Sequence, residues 1–283
     1  MTIEKITYAF FGTPDISSNT LSILYEAGYV PSVIITSPDA RSGRGMHSTP
    51  SPVKEWATKH NIPCLTLSKV TDDFIEEFKT YNIDLSIVVA YGHILPSALI
   101  HLPSHGTINI HYSLLPQYRG ASPIEQALLN GDTVTGITIQ QMEFKLDSGA
   151  CLSQKEIPIS DTDTKIKLRE KLTSIGGKLL VELLPHIIHK TIHPTVQNES
   201  QATYCTKIKK EDGLIDIKGD ARMNFNKYRA FLRWPDVYFF VNSKRIKITQ
   251  ATYENDSFII ERVIPEGKKE TSYENFLASN ISK

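Results

Sequence analysis

Apolar residues along this chain gather in short runs rich in Val, Ile and aromatics, at 6–11, 33–36, 85–90 and 107–111. Between these runs the apolar spacing shifts to a helical period, and that alternation predicts parallel strands joined by crossover helices. The first crossover helix is expected over 15–27, with Gly28 as its stop. A longer helical pattern covers 163–188, where Leu168, Leu172, Ile175, Leu179, Leu183 and Ile187 recur at intervals of three and four. The N-terminal part therefore reads as an α/β domain with an open, mostly parallel, Rossmann-like sheet. Gly12-Thr13-Pro14 stands where a dinucleotide-binding loop would sit, but a G-x-G-x-x-G pattern is missing and Pro14 removes a donor. Gly12 is instead assigned to a tight turn.

Two stretches break the pattern. Residues 37–52 hold Pro38, Gly43, Gly45, Pro50 and Pro52 together with Arg41, Arg44 and His47, and read as a long basic functional loop. Beyond 190 the chain turns polar and aperiodic around Pro194, which places a linker at 191–206. Runs at 237–241, 245–248 and 258–263 then read as strands of a small β-rich module. The expected organisation is a catalytic domain at 1–190, the linker, and a second domain at 207–283.

Lys plus Arg and Asp plus Glu are each 31 among 283 residues, so overall charge recruits no polyanion. The distribution differs. Residues 205–250 carry eleven basic and five acidic side chains, which fits either a solvated face or a polyanion partner. Arg229, Phe231, Arg233 and Trp234 interleave charge with aromatics there, and Trp234 is expected in the core. Cys64, Cys151 and Cys205 are too few and too scattered for a disulfide framework or a zinc site. No run reaches the length of a membrane span, so a soluble cytoplasmic protein is expected.

Candidate chemistry lies in 106–116, GTINIHYSLLP. Asn109 and His111 are two apart at the end of a predicted strand, so both side chains face one way, into the crevice where open α/β sheets bind ligands. An isolated Asn-x-His is more often structural. A carboxylate, Asp147, follows the alternating run 136–142, and Gly149 permits a sharp turn that returns it towards His111. Acyl transfer to an amine passes through a tetrahedral oxyanion. Asn109 and protonated His111 supply donors to it, while Asp147 supports the imidazolium and proton relay. Neither a covalent nucleophile nor a metal is required.

The runs NIHYSLLP and LDSG resemble the active site of the 10-formyltetrahydrofolate-dependent formyltransferases, whose catalytic Asn, His and Asp fall on Asn109, His111 and Asp147. FGTPD at 11–15, SPDARSGRG at 37–45, VVAYGHILP at 88–96 and RAFLRWP at 229–235 are similar to the branch that formylates methionyl-initiator tRNA. The resemblance implies 10-formyltetrahydrofolate as co-substrate, held by Ser113, Leu114, Leu115 and Pro116 and by Tyr91, Gly92, Ile94 and Leu95. It further implies tRNA contacts at Arg41, Arg44 and Lys207, a C-terminal OB-like domain, and a monomer. Ala40, Lys145 and Ile217 depart from the family pattern, and the C-terminal module is short by about two strands. Rival readings are a sugar-nucleotide N-formyltransferase, disfavoured by the basic loop, and a noncatalytic RNA-binding relative, disfavoured by the intact trio.

Overall fold

The computed structural model describes residues 6–42 and 47–281. The chain runs β1 (Tyr8–Gly12), α1 (Asp15–Glu26), β2 (Val33–Thr36), β3 (Ala40–Ser42), β4 (His47–Thr49), α2 (Pro52–Lys59), β5 (Cys64–Thr66), α3 (Asp72–Lys79), β6 (Leu85–Val89), α4 (Ser97–Ile100) and β7 (Thr107–His111). It continues through β8 (Arg119–Gly120), α5 (Pro123–Asn130), β9 (Val134–Gln141), β10 (Cys151–Pro158), α6 (Lys165–Ile188) and β11 (Tyr204–Cys205). The last elements are α7 (Ala221–Phe231), β12 (Val237–Val241), β13 (Lys244–Glu254), β14 (Ser257–Pro265), β15 (Thr271–Ser272) and α8 (Tyr273–Ile281).

Two compact units share these elements. The first contains the residues up to Arg119 with Gly136–Ile157 and Arg169–Thr203; the second contains Gly120–Thr135, Pro158–Leu168 and the residues from Tyr204 onward. A seven-stranded sheet in the order β10-β9-β7-β6-β1-β2-β5 dominates the first. Its central strands are parallel: Phe10 pairs with Ile34 on one side and Ile87 on the other. Every residue of β1, β2 and β6 is buried, as expected of strands covered by helices on both faces. On one face Ala9, Phe11, Val33, Ile35 and Val88 meet Phe74, Phe78, Leu95 and Leu99. The strands expected at 6–11 and 85–90 are thus found within a residue or two.

Other expectations are corrected. The stretch 37–52 is not a bare loop, because β3 and β4 pair antiparallel inside it, Ala40 with Thr49. Gly12 has no left-handed backbone; it is required by crowding, since a Cβ there would lie 2.6 Å from Ser17 Cβ and 2.7 Å from the Phe10 ring. That closeness lets Ser17 at the start of α1 donate its hydroxyl to the Val89 carbonyl at 2.6 Å. Gly28, by contrast, does adopt φ +89°, beyond the end of α1.

In the second unit β12-β13-β14-β15 form an antiparallel sheet with linear order, and α7 packs on β13 and β14 and against α5. The strand expected at 245–248 is longer than its apolar core suggests: β13 has eleven residues and is bulged around Gln250. Trp234 is 51% exposed, not core. The chain leaves α7 through left-handed residues Arg233 and Asp236, and the Asp236 carboxylate accepts from the Arg233 amide at 3.0 Å, which turns the intervening Trp234 outward. The side chain that is buried instead is Arg229, which donates to the carbonyls of Ser160, Asp161 and Asp163.

Replacing Gly12 by Ala forces a methyl group into the β1–α1 junction. A loss of about 1–3 kcal/mol in urea or thermal unfolding is expected. A loss below about 0.5 kcal/mol would show that the junction is loosely packed.

Candidate active site

The pairing of β9 beside β7 builds the site. The two strands are antiparallel, with Asn109 opposite Gln140 and His111 opposite Thr138. Directly opposed residues share a face, so all four side chains project from the same side of the sheet. After Gln141 the chain reverses through 142–150, where the Gln141 amide donates to the Ala150 carbonyl at 2.9 Å. Asp147 takes the left-handed conformation at φ +46°. Gly149 is needed for proximity rather than for its dihedrals: a Cβ would lie 1.8 Å from the Gln141 carbonyl oxygen.

This reversal brings Asp147 Oδ1 to 3.6 Å from His111 Nδ1, with the two side chains 11% and 6% exposed. The Tyr118 carbonyl lies 2.9 Å from His111 Nε2. A carbonyl only accepts, so Nε2 carries the proton and Nδ1 is the nitrogen that faces Asp147. The 3.6 Å gap is too long for a good hydrogen bond but within ion-pairing range. Among the described residues the Asn109 carboxamide engages no side-chain hydrogen bond, so its NH2 is free to act as a donor.

Behind the trio lies a polar scaffold that the sequence reading did not find. Arg119 is fully buried and donates to Gln197 Oε1 from Nε at 3.0 Å and from one terminal nitrogen at 2.8 Å. It also pairs with Glu199 at 2.8 Å, and Lys145 reaches the other oxygen of that carboxylate at 2.8 Å. Gln197 and Glu199 lie in the polar stretch after 190, yet Gln197 is only 7% exposed. The one sequence signal was an Arg three residues beyond Pro116, and a lone Arg is more often a surface charge.

The two stretches for which the sequence resemblance implies folate contacts follow the C-terminal ends of β7 and β6. Ser113 and Leu115 are buried and Leu114 and Pro116 half-buried, and Thr138 beside His111 accepts the Leu115 amide at 3.0 Å. A Cβ at Gly136 would strike Leu114, so β9 and this turn are packed tightly. The second group follows β6, whose Val88 pairs with Asn109. Tyr91 and Leu95 belong to the core, Gly92 is exposed at φ +82°, and Ile94 is 79% exposed. Burial pushes the Tyr91 hydroxyl up to about 12. Thr13 donates to the Tyr91 carbonyl at 3.2 Å, and Ser37 bonds both Thr13 and His93, at 2.9 Å each. His93 was not singled out from sequence, although it falls within the same run.

Of the candidate tRNA contacts, Lys207 is exposed, the backbone of Arg41 lies in β3, and Arg44 lies outside the described residues. The three cysteines are free thiols, and burial pushes Cys64 up to about 11, which makes it a poor nucleophile. No described helix is long and apolar enough to cross a membrane.

Residues 5–184 match the family model described as formyl transferase, and residues 207–259 match that of the formyl transferase C-terminal domain. The chain belongs to the formyl transferase family. Two relatives of this formyl transferase are the methionyl-tRNA formyltransferase of Sulfurihydrogenibium sp., 40% identical over 86% of this chain and 78% of that protein, and that of Geobacter metallireducens, 36% identical over 96% and 95%. Solved structures share its fold at low identity. An N-formyltransferase from Helicobacter canadensis superposes with a TM-score of 0.67 at 21% identity, covering 89% of each chain. The methionyl-tRNA formyltransferase from Clostridium thermocellum superposes at 0.62 and 16% identity, covering 92% of this chain and 99% of that one.

The Glu199 clasp in this formyl transferase gives a pH prediction. Hydrogen bonds from Arg119 and then Lys145 lower the carboxyl from 4.5 to about 2. A depressed carboxyl stabilises the fold fully above its unfolded value and loses that contribution as pH falls through its folded value. Amide exchange in residues 195–203 should therefore accelerate between pH of about 4.5 and about 2, after correction for intrinsic rates. Protection that stays flat over that window would contradict the clasp.

Proposed function

We propose that this formyltransferase moves the formyl group of 10-formyltetrahydrofolate onto the amino group of methionyl-initiator tRNA. The observation that carries the reading is the approach of Asp147 to His111 on the face that also bears Asn109. The relatives at 36–42% identity, all called methionyl-tRNA formyltransferase, support the choice of acceptor.

The chemistry needs little from the protein beyond placement and charge. As the amine attacks the formyl carbon, negative charge grows on the formyl oxygen. Asn109 donates its NH2 and His111, as the imidazolium, its Nδ1–H to that oxygen, and the Asp147 carboxylate stabilises that cation. The Tyr118 carbonyl fixes the opposite ring nitrogen and keeps the ring from rotating. The amine proton passes to Asp147 or to water, and the folate nitrogen leaves with a proton returned through the same groups. A half-buried carboxamide and an imidazole with its own carboxylate suit an oxyanion, and the segment after β6, with Gly92 and Ile94 exposed, suits a flat ring system.

In this reading residues 1–190 do the chemistry, 191–206 connect, and 207–283 bind tRNA with Lys207, while Arg41 and Arg44 clasp the acceptor stem. The protein works as a monomer in the cytoplasm. Contacts of Lys and Arg with phosphate make such binding salt-dependent.

The test offers labelled 10-formyltetrahydrofolate with methionylated initiator tRNA, elongator tRNA and nucleotide-linked amino sugars in parallel. Label on initiator tRNA is expected, and label on a sugar alone would overturn the acceptor. Asp147→Asn and His111→Ala should each lower kcat by about a thousandfold or more in a folded protein. A near-normal rate in either variant removes that residue from the mechanism.

A further inference from the structure

The polar scaffold behind Asp147 has a direction. Arg119 can only donate, so the carboxamide of Gln197 must present its oxygen to the guanidinium. That choice turns the Gln197 NH2 towards acceptors: the Gly149 carbonyl at 2.7 Å, the Asp147 carbonyl at 2.9 Å and, more distantly, Gln140 Oε1 at 3.4 Å. With its oxygen on that side, Gln140 presents its own NH2 to Asp147 Oδ1 at 2.9 Å. Arg119 is 0% exposed, Gln140 2% and Gln197 7%, so a reversed amide would put like against like where water cannot compensate.

We propose that Arg119, Gln197 and Gln140 form a one-way hydrogen-bond relay that holds Asp147 as an acceptor aimed at His111. They are positioning residues: the backbone of the reversal is pinned at 147 and 149 by Gln197, and the carboxylate is oriented by Gln140. The charged groups around Asp147 are His111 from β7, Arg119 from β8 through Gln197, Lys145 on its own loop, and Glu199, which Arg119 and Lys145 both engage. The inference rests on the formyl-transfer reading of the trio.

Gln197→Glu and Gln140→Leu test it while leaving Arg119 an oxygen acceptor at 197. The first keeps the size of the side chain but sets an oxygen against the acceptors at 147, 149 and 140. The second removes the donor to Asp147 alone. Both should lower kcat about ten- to hundredfold while KM for folate and for tRNA stays within about twofold. Crystal structures of both variants should show Asp147 Oδ1 withdrawn from His111 Nδ1 beyond the present 3.6 Å. Normal kcat, an unmoved Asp147, or equal losses in kcat and substrate binding would each overturn the relay. If the wild-type protein formylates none of the acceptors, the functional reading fails and the crystallographic displacement alone decides the relay.

Discussion

A carboxylate brought back over an imidazole is the interaction on which the site depends. Here β9 runs antiparallel beside β7. Gln140 therefore sits opposite Asn109, and the reversal after Gln141 starts next to the residues it must serve. The costs are local: a left-handed Asp147, and a Gly149 so close to the Gln141 carbonyl that no side chain fits. Those costs are met by the buried hydrogen bonds of Arg119, Gln197 and Gln140, which give the loop one geometry.

The rest of the first unit serves to present this edge. Parallel β1, β2 and β6 are buried throughout, and their C-terminal ends carry Thr13, Ser37, Tyr91 and His93, tied by hydroxyl and imidazole hydrogen bonds. The crest after β6 thus has a fixed base and an exposed Ile94. In the second unit part of the basic excess of 205–250 is spent internally: Arg229 on backbone carbonyls, Lys227 on the Leu214 carbonyl, and Lys247 on Asp236 at 2.6 Å. Arg222 lies 3.9 Å over the Tyr253 ring. Charge counting over the segment therefore overstates what a polyanion would meet.

Much of this was legible in the residues. Apolar runs located the central strands because a strand buried on both faces is apolar almost throughout, and the two-residue spacing of Asn109 and His111 fixed their shared face. What stayed hidden was long-range or steric. Arg119 and Gln197 are 78 residues apart, and nothing in a polar stretch distinguishes a buried Gln from a solvated one. Gly12 and Gly149 were rightly flagged but for the wrong cause, since crowding by a neighbour leaves no mark in the local sequence. Trp234 was placed inside by its size, and left-handed Arg233 and Asp236 turned it out.

The most direct measurement is a crystal structure with a stable 10-formyl folate analogue. The account predicts the formyl oxygen at about 3 Å from both Asn109 Nδ2 and His111 Nδ1, with Asp147 still facing the ring. A formyl group bound away from these three side chains, or a folate seated elsewhere on the protein, would contradict it.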